Sequence, residues 1–279
     1  MIDVTGWAPE PEETTETIDP GPALALAGVL DTEPPSGHLP PLWQWLHFLD
    51  RVPRRDLGPD GHPREGRFLP PIPDRRRMFA GGRLTVHEPI RFGDTVTRRA
   101  ELAGTALKQG RSGEMLFVTV RHTFLRGGTA IAVEEQDLVY RSGDPAAAPA
   151  AISYEAPEAS AEWLLPFAAD PVTLFRFSAL TYNAHRIHYD EAYATTVEGH
   201  AGLVVHGPLL AILCLEPPRR AGHAVGELSF RARRPVYARQ PFAVTGSPAG
   251  DLAIRAPGDT TAMTAHVSIN RLTEPAPGA

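Results

Sequence analysis

The sequence predicts an α+β protein in which antiparallel sheet embraces buried helix. Two stretches, residues 78–141 and 227–270, read as successions of β-rich runs separated by glycine-containing turns. Between them lies one helical window that is apolar nearly all round, the pattern of a helix buried on every side. A chain of 279 residues, 42% hydrophobic and 22% charged, is long enough to fold two such units with real cores.

Taken in order, Asp3 to Pro41 reads as irregular apart from a helical window, Pro20 to Leu30, with proline near its start. Leu42 to Leu49 is a dense apolar run in which Trp43, Trp45 and Phe48 form core or ligand wall. Arg51 to Pro73 is a long Pro-, Gly- and Arg-rich loop, of a length usually functional or mobile. Strands follow at Arg83 to His87, Thr95 to Leu102, Met115 to Phe124 and Ala130 to Arg141, as in a meander. Ser142 to Ser160, rich in Ala and Pro, reads as a linker. The helical window Gly207 to Glu216 is closed by Pro217-Pro218, and strands resume at Glu227 to Arg233, Pro241 to Gly246, Leu252 to Arg255 and Ala262 to Asn270. A buried helix wrapped by antiparallel sheet is the hot-dog arrangement. The expectation is a double hot-dog, two antiparallel sheets each wrapped around a central helix: residues 1–145 one half, 146–160 a linker, 161–279 the other. Pro89 to Val96 and Pro235 to Phe242 form a weak internal repeat.

Composition excludes several function classes. No run of about 18 uncharged apolar residues exists, and Met1 to Glu16 is acidic and Pro-rich, so neither a transmembrane helix nor a signal peptide is expected. A net charge of -6 argues against nucleic acid as a partner. One cysteine, Cys214, excludes intramolecular disulfides and Cys-rich zinc sites, and suits the reducing cytoplasm in which we expect the protein. The single lysine, Lys108, makes Schiff-base chemistry a poor fit.

The chemistry concentrates in Arg176 to Asp190, where Tyr182, Asn183, His185, Arg186, His188, Tyr189 and Asp190 crowd together. His185 and His188, three apart, could ligate a metal with Asp190, but no recognised ligand spacing is present and no metal is expected. The histidines could also merely bond backbone carbonyls. The favoured reading makes His188 a general acid or base, for which a pKa near 6.5 is suited. Downstream, His206-Gly207-Pro208 opens the buried helix, whose free N–H groups and positive dipole end could stabilise an oxyanion.

Thr181 to Asp190, with Leu203 to Pro208, resembles the MaoC-like, R-specific enoyl-thioester hydratase family, whose motif reads Gly-Asp-x-Asn-Pro-Ile-His followed by His-Gly at the central helix. The register puts His188 on the catalytic histidine, Asn183 on the catalytic aspartate, His185 on the Asn and Arg186 on the Pro. The variant resembles the subgroup of mesaconyl-C4-CoA and itaconyl-CoA hydratases and fungal-type hydroxyacyl-thioester dehydratases, and the likeness spans about residues 40–272. It implies a hydro-lyase of a short, carboxylated or branched enoyl-CoA: Asn183, His188 and Gly207 catalytic, Tyr182, His185, Arg186, His206 and Arg83 facing substrate, no cofactor, no membrane, a homodimer. One half is expected to be degenerate, because it lacks an equivalent of the His188 segment. Arg75 to Arg77, Arg219-Arg220 and Arg231 to Arg234 are candidates for the three CoA phosphates. Three alternatives are a longer-chain 3-hydroxyacyl-thioester dehydratase, a hot-dog thioesterase using Asp190 or Glu198, and a non-catalytic acyl-thioester binding module.

Overall fold

Among the described residues, ten antiparallel strands make one sheet: β1 (Glu12–Thr17), β2 (Arg76–Val86), β3 (Thr95–Gly110), β4 (Gly113–Arg126), β5 (Thr129–Arg141), β6 (Trp163–Phe167), β7 (His223–Ala232), β8 (Phe242–Gly246), β9 (Asp251–Ala256) and β10 (Thr260–Arg271). Their spatial order is β1-β3-β4-β5-β2-β7-β10-β9-β8-β6. The computed structural model describes residues 2–72, 76–110, 113–141 and 151–271. Arg75 and the first part of the expected linker, residues 142–150, lie outside them. The strands obey their pleat: on β4, Leu116, Val118, Val120 and Phe124 are buried on one face, two or four residues apart.

The two half-sheets expected from sequence are joined edge to edge by β2 and β7. Gly81 is what lets them meet, since a Cβ there would stand 2.3 Å from the Phe230 carbonyl oxygen on β7; one on Gly82 would stand 2.6 Å from that of Glu135 on β5, within its own half. Outward from this seam the halves run alike, β2-β5-β4-β3-β1 and β7-β10-β9-β8-β6. The weak repeat becomes an equivalence of backbone bonds. Leu39 N donates to Ile90 O and Val205 N to Val236 O, each at 2.8 Å; Gly93 N donates to Ile18 O and Arg239 N to Ala169 O, at 2.9 and 2.7 Å.

In this equivalence α1 (Gly21–Leu30) matches α2 (Pro171–Thr181), and the buried α4 (Gly207–Cys214) matches only a four-residue 3-10 turn, Trp43–Leu46. Leu209, Leu210, Ile212 and Leu213 of α4 are buried, each worth about 1.5–3 kcal/mol. A full central helix is thus present in one half, and in the other its place is taken by that turn and the loop that follows. Pro217-Pro218 does not end the helical path: both prolines sit in the first turn of α5 (Glu216–Arg220), where proline costs no hydrogen bond. Sequence reading missed β1, β6, α2 and the short α3 (Glu191–Thr196). For α2 the signal was present, since Asp170 caps the helix by accepting from Thr173 N at 2.7 Å with Pro171 next.

Candidate active site

α2 ends at Tyr182, which takes the left-handed conformation (φ 51°), exposes its ring and turns the chain back. The chain then runs through Asn183 and His185 into a 3-10 turn, Arg186–His188. Asn183 N donates to Ser178 O at 2.9 Å, and the Asn183 side chain accepts the His185 N–H through Oδ1 at 2.9 Å. With Oδ1 turned to that N–H, the amide's NH2 is left to present to a ligand.

His188 is buried, with Nδ1 2.7 Å from the Val204 carbonyl. A carbonyl only accepts, so Nδ1 carries the proton and Nε2 is the basic nitrogen. Burial pushes its pKa down to about 4, which keeps the imidazole neutral at pH 7. Its ring stacks on His206, centroids 3.6 Å apart and planes 19° apart. His206, the residue before α4, is fully buried, lies 2.9 Å from the Ser178 hydroxyl through Nε2, and is held well below the usual range by burial and the neighbouring imidazoles. Its Nδ1 has no hydrogen-bond partner among the described residues.

Gly207 is the first residue of α4, so its N–H is one of the donors that the helix itself cannot satisfy. A Cβ there would lie 2.7 Å from Phe79 Cδ1, and Phe79 is fixed by stacking on Phe230 (5.7 Å) and by its edge contact with Trp45 (5.9 Å). The absent side chain therefore serves packing as well as the approach of a ligand. His188, Gly207, Asn183, Trp45 and Phe79 line one cavity of roughly 2230 Å³.

Two arginines expected near the acyl group are already engaged. Arg83 donates to Glu135 Oε2 at 2.7 Å and to Asp137 Oδ2 at 3.0 Å. Arg186 pairs with Asp190 Oδ2 at 2.7 Å, donates to Pro59 O at 2.9 Å and covers the Tyr193 ring at 4.0 Å. It binds the His188 turn to a distant loop. The carboxylates a thioesterase would need are spent likewise. Asp190 caps α3 and holds Arg186, while Glu198 faces Arg76 at 3.7 Å. Of the aromatic run, Trp43 is core, whereas Trp45 and Phe48 reach the cavity. Trp45 Nε1 donates at 2.6 Å to the buried Glu134, which Gln44 and Gln136 also engage.

Sequence reasoning missed Asp60 and His62. They sit on the Arg51–Pro73 loop of the first half and reach the site of the second: His62 and His185 rings lie 4.1 Å apart, and His185 meets His188 edge-on at 5.5 Å. No local spacing signals a contact across more than 120 residues. Asp60, His62 and His185 bring donor atoms within 4.8 Å of one another, the arrangement among the described residues nearest to a metal-ligand set. Both Asp60 oxygens are, however, already taken by His62, Oδ1 by its N–H and Oδ2 by Nδ1, each at 3.0 Å. The Arg77 guanidinium adds positive charge beside both histidines. A hydrogen-bonded pair fits these residues better than a cation does.

A family profile described as hydroxyacyl-thioester dehydratase type 2 matches residues 42–238. The chain belongs to that family. A mesaconyl-C(4)-CoA hydratase of Chloroflexus aurantiacus is 42% identical over 278 residues, covering 96% of this chain and 98% of that protein. The mitochondrial hydroxyacyl-thioester dehydratase type 2 of Schizosaccharomyces pombe is 27% identical over 263 residues, covering 78% and 86%. Among solved structures, a MaoC-like dehydratase from Phytophthora capsici superposes with a TM-score of 0.67 at 12% identity, covering 97% of this chain and 98% of its own. HtdX of Mycobacterium tuberculosis does so at 0.66 and 18%, covering 92% and 99%. The fold is the expected hot-dog type, and the enzyme is a hydro-lyase acting on the enoyl and 3-hydroxyacyl thioester pair.

Proposed function

We propose that the enzyme adds water across the double bond of a short carboxylated enoyl-CoA of the mesaconyl-C4-CoA type. The observation that carries this is 42% identity sustained over nearly the whole chain to a hydratase of that substrate. Hydration needs a water at Cβ, a base for its proton, and a donor for the charge that grows on the thioester oxygen. Neutral His188 with a basic Nε2 suits the base. The Asn183 NH2 can hold the water through an oxygen lone pair, leaving its protons for His188. The Gly207 N–H suits the developing oxyanion. Tyr182, His185 and His206 bound the same site, and Arg186 holds its shape.

Coenzyme A as carrier is part of the proposal. Arg77, Arg231, Arg233 and Arg234 line the cavity and suit its phosphates, whereas Arg219 is committed to Glu216 and Thr32. We assign the second half the active site and the first a supporting role, since only the second keeps the central helix and the His188 turn. A buried, free Cys214 suits a cytoplasmic location. The homodimer is proposed on the family resemblance, with contacts away from the sheet edges: β2 and β7 already pair edge to edge within one chain, and the outer strands carry Glu12, Glu13 and Glu16 on β1 and Pro166 on β6, which blunt free edges. The deciding experiment mixes purified protein in turn with crotonyl-, mesaconyl-C4- and itaconyl-CoA while following the enoyl-thioester absorbance. Fastest loss with mesaconyl-C4-CoA is expected. Loss only with long-chain enoyl thioesters would favour the dehydratase alternative, and binding without loss the non-catalytic module.

A further inference from the structure

Hydration of an enoyl thioester moves two protons, one off water and one onto Cα, and Asn183 cannot exchange either. A second titratable group facing the same cavity is needed if His188 is not to serve both. The loop carrying Asp60 and His62 is built against the catalytic turn. Arg186 N donates to Asp60 O at 2.8 Å, and Arg186 Nη1 to Pro59 O. Gly61 takes φ 90°, and a Cβ there would stand 1.8 Å from the Ala184 carbonyl oxygen, so only glycine permits this approach. Within the loop, the Asp60 carboxylate accepts both the backbone N–H and Nδ1–H of His62, which fixes its ring and leaves Nε2 as the exchanging nitrogen. Asp60, His62, His185 and His188 all line the cavity.

We propose that His62, backed by Asp60, is the second acid–base group of this active site, supplied by the first half of the chain to the second. The proposal rests on the hydratase reading above. As water oxygen bonds to Cβ, His188 Nε2 takes one water proton, the C=C pair moves onto Cα, and protonated His62 delivers its Nε2 proton there. His62 ends neutral and His188 protonated, and the proton returns to His62 through solvent before the next turnover. In dehydration the roles reverse, with neutral His62 removing the Cα proton and His188 protonating the departing hydroxyl. The charges around His62 are Asp60 on its own loop, His185 and His188 on the catalytic turn, Arg77 on β2 and Glu198 after α3. Burial, the larger effect, holds the imidazole below its ordinary value, and the Asp60 bond pulls it only part of the way back up.

The test compares wild type with His62→Gln and Asp60→Asn in both directions, with circular dichroism and thermal midpoints as folding controls. His62→Gln should lower kcat about 10²-fold while KM stays within about threefold. It should also abolish the alkaline limb of the hydration profile. Asp60→Asn, which keeps the shape but removes the charge, should move that limb to lower pH. In dehydration, the isotope effect of deuterium at Cα should rise in His62→Gln, because removal of that proton becomes limiting. A kcat within about threefold of wild type overturns the proposal, as does a loss that leaves pH profile and isotope effect unchanged. Activity lost to a chelator and restored by zinc would overturn it too, making the three groups metal ligands. Failure of the hydratase reading would be seen separately, as wild type inert toward every enoyl thioester.

Discussion

Acidification should unfold this protein well before its carboxylates are all protonated, because several imidazoles are buried neutral. Burial holds His188 at about 4, and burial with nearby Arg98 holds His122, on β4, at about 3, against an unfolded value of 6.5. The folded values lie below the unfolded one, so as pH falls through 6.5 the unfolded state takes up protons first. Stability is complete above that point and drains away down to about pH 4 for His188 and about pH 3 for His122. At pH 5 each costs roughly 2 kcal/mol, and together they remove about 4 kcal/mol from a typical total of about 5–15. Glu134, raised by full burial, titrates in the opposite sense and offsets part of this. Urea unfolding followed by tryptophan fluorescence at pH 7, 6 and 5 reads the effect as a falling midpoint. His122→Gln should remove its own share, about 2 kcal/mol, of the loss between pH 7 and pH 5. An unchanged midpoint between pH 7 and 5, or a His122→Gln slope equal to wild type, would refute the reasoning.

Other outcomes follow from single contacts. Gly61→Ala should cost about 1–3 kcal/mol and lower kcat, since the loop must lift from Ala184; equal stability and activity would mean that the loop is not docked in solution. Gly207→Ala should reduce kcat/KM at least about tenfold by displacing Phe79, and Phe79→Leu in that background should recover part of the lost thermal midpoint. Asn183→Asp keeps the acceptor for the His185 N–H but loses the NH2 donor, so kcat should fall. Its added negative charge should raise the pKa of neighbouring His188 and move the acid limb of the rate profile to higher pH. A variant as active as wild type with an unmoved limb would remove Asn183 from the water site.

Much of the architecture was legible because β-rich runs and a helix apolar on every side are local signals: α4 and eight of the ten strands follow from them. β1, with the sequence Glu-Glu-Thr-Thr-Glu-Thr, was not legible, since an exposed edge strand carries no apolar alternation. The joining of two half-sheets at β2 and β7 depends on partner strands far along the chain, which no local pattern signals. In the site, the His188 turn and Gly207 stood out by their residue types. The engagement of Arg83 by Glu135 and Asp137 was invisible because cross-strand register decides it, and His62 because its neighbour His185 is brought to it only by the fold.

The central claim, that neutral His188 is the base which takes a proton from water, is tested most directly by His188→Gln with mesaconyl-C4-CoA. The account predicts that kcat falls about 10³-fold while the thioester Kd, measured by calorimetry, stays within about threefold of wild type. Retained turnover in a folded variant would remove His188 from the chemistry and contradict the account.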